Sequence, residues 1–131
     1  MYKLDWSLYP DFTEDEFRCK YTEECHMHPA FMSILQWIRD DYKKPIIISS
    51  GYRAPSHPVE AKKDRPGEHT RGMAADILCS GLDALELIKC AQSHNIKRIG
   101  LKQKGEYSQR FIHIGIADRF DATFPVAIWT Y

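Results

Sequence analysis

A chain of 131 residues, 44% of them hydrophobic, can fill one compact core but not two, so residues 1–131 read as a single domain. Its 18 basic and 18 acidic side chains cancel to a formal charge of +0, which argues against a nucleic-acid or anionic-membrane binder. No apolar run approaches the roughly 20 residues that span a bilayer, and the opening MYKLDWSLYPDF has no apolar signal-peptide core. The expectation is therefore a monomer made in the cytoplasm, without membrane insertion, that reaches any outside site of action by other means.

In chain order, Thr13-Glu14-Asp15-Glu16 has capping-box spacing and predicts a short helix. His28-Pro29 opens a second helix, with proline at its first position. Phe31, Ile34, Leu35, Ile38 and Tyr42 then form one apolar stripe, and Lys43-Lys44-Pro45 ends it. Residues 45–49 are a β-branched run, read as a buried strand. Residues 50–72 are rich in Gly, Pro, His and charge, and a loop of that length in a small domain is usually functional or disordered. Residues 73–79 predict a second buried strand. Residues 82–95 predict a helix with Ala84, Leu87, Ile88 and Ala91 inward. Residues 98–102 and 111–116 predict two strands joined by the polar loop KQKGEYSQR, and 126–131 a last strand. Helices mixed with antiparallel strands give an α+β class.

Cys19, Cys25, Cys79 and Cys90 lack the paired spacing of a zinc ribbon. Cys79 and Cys90 fall in apolar stretches and read as core thiols. Cys19 and Cys25 flank a polar loop and read as free thiols; the alternatives are a disulfide or a minor metal site shared with His26 or His28.

Three residues carry the chemistry. Asp76 sits inside the apolar run MAADILC, where a carboxylate is costly unless it is paired or holds a metal. His69 lies upstream in GEHTRGMAAD, and Gly72 between them would let the chain bend both side chains to one point. His113 lies in FIHIGI, where strand alternation puts Phe111, His113 and Gly115 on one face and Ile112, Ile114 and Ile116 on the other. Two imidazoles and a carboxylate suit a catalytic Zn²⁺, with a fourth position left for water. The competing reading is structural: a hydrogen-bonded His113, and Asp76 paired with Arg71 or Arg98.

Taken together, Ser50-Gly51-Tyr52-Arg53, then His69-x-x-Gly72-x-Ala74-x-Asp76, then His113 on a late strand resemble the zinc D-Ala-D-Ala carboxypeptidase family. That family shares its metal-site fold with L-alanyl-D-glutamate endolysins and the Hedgehog signalling domain. FTEDEF-x-C, IRDDYKKP and IIISSGYR are similar to its phage-encoded branch, so the likeness covers nearly the whole chain. It implies a Hedgehog/DD-peptidase-like fold, with helices on a small, mainly antiparallel sheet. It also implies Zn²⁺ on His69, Asp76 and His113, and hydrolysis of peptide bonds in peptidoglycan stem peptides, by a carboxypeptidase or an endopeptidase. The place of action would be the bacterial cell wall, reached through phage or lysis machinery. Arg53 would grip a substrate carboxylate with two hydrogen bonds; its alternative is a surface pair with Asp64 or Glu68.

The departures bear on the general base. Gly67 stands where many relatives carry serine, and Gly115 where this branch commonly carries an acid. Phe111 and Arg110 stand where other branches place a histidine or a glutamate. A base must then come from a loop, with Glu106 ranked first and His57 second. Glu68 directly precedes a ligand and is expected to point away from the metal. Two other readings stay open: a non-catalytic zinc-binding phage structural or cell-wall-binding module, and a metal-free domain.

Overall fold

The computed structural model describes residues 3–131; Met1 and Tyr2 of the opening stretch lie outside them. Helix α1 (Glu14–Phe17) starts with the expected capping box, the Thr13 N–H donating to Glu16 Oε1 at 2.9 Å. Helix α2 (Pro29–Tyr42) is capped by His28, whose Nδ1 accepts the Ala30 N–H, and it stops at Lys43 in a left-handed conformation (φ 61°). Its apolar stripe is buried, and α2 packs beside α4 (Gly81–Ser93), which turns Ala84, Leu87 and Ala91 inward and leaves Ile88 half-buried.

Five strands form one sheet: β1 (Ile47–Ser50), β2 (Ala74–Leu78), β3 (Arg98–Lys102), β4 (Phe111–Gly115) and β5 (Ala127–Thr130). Their order is β1-β2-β4-β3-β5; every pairing is antiparallel except β3 with β5. The class is α+β, as expected. Alternation along β4 gives the sheet two unlike faces: Ile112 and Ile114 are fully buried in the core with Ile77 of β2, while Phe111 and His113 point the other way into a cleft. The register then aligns Ser50, Asp76, His113, Gly100 and Trp129 as one row across the strands.

Some expectations need correction. The run at 45–49 is not a buried strand: pairing starts at Ile47, which is 57% exposed because it lies, with Leu78 and Phe111, on the sheet face away from the core, and the buried apolar residue is Ile46. The segment 50–72 is not all loop; it holds a one-turn helix, α3 (Pro58–Ala61), with Pro58 at its first position. Cys79 and Cys90 pack against the core but are only half-buried; the fully buried thiol is Cys19, whose Sγ accepts the Ala54 N–H. No helix among the described residues is long and apolar enough to cross a membrane.

Candidate metal centre

Antiparallel pairing of β2 with β4 sets Asp76 directly across from His113. His69 comes from the turn that leads into β2. That turn depends on Gly72, whose φ is +67° and where a Cβ would sit 2.1 Å from the His26 carbonyl oxygen. Gly72 N–H donates back to His69 O, and Gly72 O accepts the His28 N–H, so the turn is pinned against the start of α2. His69 Nε2 then lies 3.4 Å and His113 Nδ1 2.9 Å from Asp76 Oδ1. One ligand atom from each residue falls within 4.8 Å of the others, and all three residues are buried. Among the described residues no other group of three histidine, cysteine, aspartate or glutamate side chains converges this way.

The outer nitrogen of each imidazole has its own acceptor. His69 Nδ1–H donates to Gly51 O at 2.7 Å, and His113 Nε2–H donates to Glu68 Oε1 at 2.5 Å. Such partners fix which nitrogen is left for a metal, here His69 Nε2 and His113 Nδ1. Those two nitrogens and a carboxylate oxygen are the donor set that zinc takes, so the residues fit the ion. The electrostatics agree. Burial alone would raise the Asp76 pKa, but the bonds from His113 and His69 outweigh it and hold the group well below the usual carboxylate range. Burial pushes His69 down, towards the neutral form that ligates. Burial opposes protonation of His113 too, but the bonds to Asp76 and Glu68 prevail and raise its pKa.

Arg53 closes one side of the site. Its Nη2 donates to Asp76 Oδ2 (3.4 Å), Nη1 to Glu60 Oε2 (3.3 Å) and Nε to Ser50 Oγ (3.2 Å). The expected alternatives for these groups do not form: Arg53 pairs with neither Asp64 nor Glu68, and Asp76 pairs with Arg53 rather than with Arg71 or Arg98. Glu60, which no sequence pattern singles out, ties Arg53 to the residues that follow it. Its fully buried carboxylate also accepts Lys63 Nζ (2.9 Å), Gly67 N–H (2.9 Å) and Thr70 Oγ (3.3 Å).

The two residues expected as bases are not brought to the triad. Glu106 is exposed at the head of a 3₁₀ turn, and His57 caps α3, its Nδ1 accepting the Val59 N–H; neither lines the cleft. Glu68, expected to point away, turns inward and is 4% exposed. It sits in a turn, where strand alternation does not apply. A lone carboxylate before a histidine offers no sequence signal of that direction.

A cleft of about 380 Å³ opens over the triad. Arg53, Lys63 and Arg98 supply a basic rim, and Phe111, Phe124, Trp129 and Tyr131 an aromatic wall. The family model described as Peptidase M15 matches residues 10–115, which contain α1 to β4, all three metal-site residues and Arg53. The chain belongs to the peptidase M15 family. M15 peptidases are zinc-dependent metallopeptidases, and the converging histidines and aspartate are what such a chain needs. No curated protein matches the chain significantly. Three of the four aromatic residues of this M15 cleft, Phe124, Trp129 and Tyr131, lie beyond the matched segment.

Proposed function

We propose that this M15 domain is a zinc-dependent peptidase that hydrolyses peptide bonds in peptidoglycan stem peptides, as a D-Ala-D-Ala carboxypeptidase or an endopeptidase of the phage-type branch. The ligands are His69, Asp76 and His113. The observation that carries this reading is their convergence, within 4.8 Å, at the floor of a cleft with a basic rim. Bound there, Zn²⁺ supplies Lewis acidity towards a scissile carbonyl and makes water a nucleophile near neutral pH.

The chain's own residues bind and orient. Arg53 spends three of its five N–H donors on Ser50, Glu60 and Asp76, leaving the others for a substrate carboxylate. The aromatic wall presents apolar surface to the peptide and screens the site from bulk water. Glu106 or His57 would act as base only by moving into the cleft on substrate binding. That requirement favours a second reading, a zinc-binding module that recognises the cell wall without cutting it. Phage or lysis machinery would deliver the domain in either case.

The deciding experiment is mass spectrometry of products after zinc-loaded protein meets stem peptides ending in D-Ala-D-Ala and cross-linked muropeptides. Released D-alanine supports the carboxypeptidase and internal cuts support the endopeptidase. Intact substrates that nevertheless bind would favour the module.

A further inference from the structure

Glu68 is the one acid in the cleft that the peptidase reading leaves without a task. Its carboxylate is buried and fully engaged: Oε1 accepts His113 Nε2–H at 2.5 Å, while Oε2 accepts Arg98 Nε–H at 3.1 Å and the Ala117 N–H at 3.3 Å. Arg98 is itself anchored, its Nη1 donating to Pro125 O at 2.5 Å. Glu68 therefore touches the nitrogen of His113 that faces away from Asp76, held in place from two further directions.

Gly115 makes this arrangement possible. It follows His113 by two residues on β4 and so shares its face. A Cβ at residue 115 would fall 2.2 Å from Glu68 Oε2, 2.3 Å from Oε1 and 2.3 Å from the carboxyl carbon. No real side chain tolerates such distances, and the neighbour is held against yielding by its three hydrogen bonds. The volume beside His113 Nε2 can hold a side chain from residue 115 or the carboxylate of residue 68, but not both.

We propose that Glu68 is the positioning carboxylate of the metal site, and that Glu68 and Gly115 form one exchangeable unit in which an acid from either position would fill the same space. Its role is to hold the His113 ring by Nε2 so that Nδ1 is aimed at the metal. A carboxylate on the outer nitrogen of a metal-binding histidine fixes the ring's tautomer and orientation and makes it a better ligand. The proposal rests on the reading of His69, Asp76 and His113 as ligands.

The test measures zinc affinity by competition with a chromophoric chelator, together with the visible absorption of the cobalt-substituted protein. Four variants are compared with the parent: Glu68→Gln, Glu68→Ala, Gly115→Asp and Glu68→Ala/Gly115→Asp. Loss of the acid in Glu68→Ala is expected to weaken zinc binding by roughly 10- to 100-fold and to shift the cobalt spectrum. Glu68→Gln keeps shape and folding but loses charge, and is expected to fall between. Gly115→Asp alone should weaken binding through the clash, while in the double variant the new acid should recover most of the affinity and the parental cobalt spectrum. Parental affinity in both Glu68→Gln and Glu68→Ala overturns the proposal. So does a double variant that regains thermal stability but not affinity, since that describes packing alone. Failure of the parent to bind zinc, or parental binding by Asp76→Ala, overturns the ligand assignment and this proposal with it, and so is told apart from failure at Glu68.

Discussion

Asp76 joins three partners through two oxygens: Oδ1 faces both imidazoles and Oδ2 faces Arg53. Removing it leaves two histidines and an arginine without their anion. Asp76→Ala is expected to lose nearly all zinc and, measured metal-free by urea titration, roughly 3–5 kcal/mol of stability, the usual result of deleting one partner of a buried ion pair. Full zinc occupancy in that variant would remove Asp76 from the ligand set. Arg53 makes the complementary case. Lysine keeps the charge but cannot reach Ser50, Glu60, Asp76 and a substrate carboxylate together. Arg53→Lys should keep its zinc and lose roughly 10- to 100-fold in kcat/KM on stem peptides, the value of a charged hydrogen bond. An unchanged kcat/KM would leave Arg53 as scaffold only. Asp76 and His113 were legible as candidates because each interrupts an apolar pattern, and His69 because its spacing from Asp76 around Gly72 would bring both to one point. Glu68 and Glu60 were not, because a carboxylate amid other charged residues disturbs no pattern.

The segment 50–72, read from its composition as a long functional loop, is tied together in part around one buried acid. Glu60 is buried, which alone would raise its pKa, yet the bonds from Gly67 N–H and Lys63 prevail, with a smaller contribution from Arg53, and pull it down to about 2. A folded pKa below the unfolded one, about 4.3, means that the unfolded chain takes up the proton first as pH falls. The stability Glu60 contributes is thus complete above about pH 4.5 and is lost as pH drops towards 2. Thermal melts across that window should show a falling Tm, and Glu60→Gln should flatten the fall while costing about 1.5–3 kcal/mol at neutral pH. An equal acid slope in the variant would show that other carboxylates govern it. The helices were legible at this scale because their caps and apolar stripes are local. The exposure of Ile47 was not, because a continuous apolar run does not show which of its residues faces the core; pairing with β2, far away in sequence, decides it.

Across the whole molecule, the row Ser50, Asp76, His113, Gly100 and Trp129 exists only because strands distant in sequence pair in one register. Sequence alternation gave the face of each residue but not the strand order, and the parallel docking of β5 on β3 had no local signal. That docking brings Trp129 over Gly100, where a Cβ would lie 2.6 Å from the indole nitrogen, and to 5.0 Å from the His113 ring. The other indoles sit elsewhere: Trp6 against Phe17, and Trp37 beside His94 on the surface. Trp129 is therefore the indole set directly against the centre, placed to sense through its fluorescence which ion it holds. Cobalt absorbs visible and near-ultraviolet light and drains the excitation of a nearby indole, whereas zinc, with a filled d shell, does not. Titrating cobalt into metal-free protein should dim the emission until one equivalent is bound, with zinc restoring it by displacement. Trp129→Phe should abolish the response; if dimming persisted, it would have to come from Trp6 or Trp37. The last strand thus gives the chain an internal optical gauge of cobalt at its candidate metal centre, readable without any label.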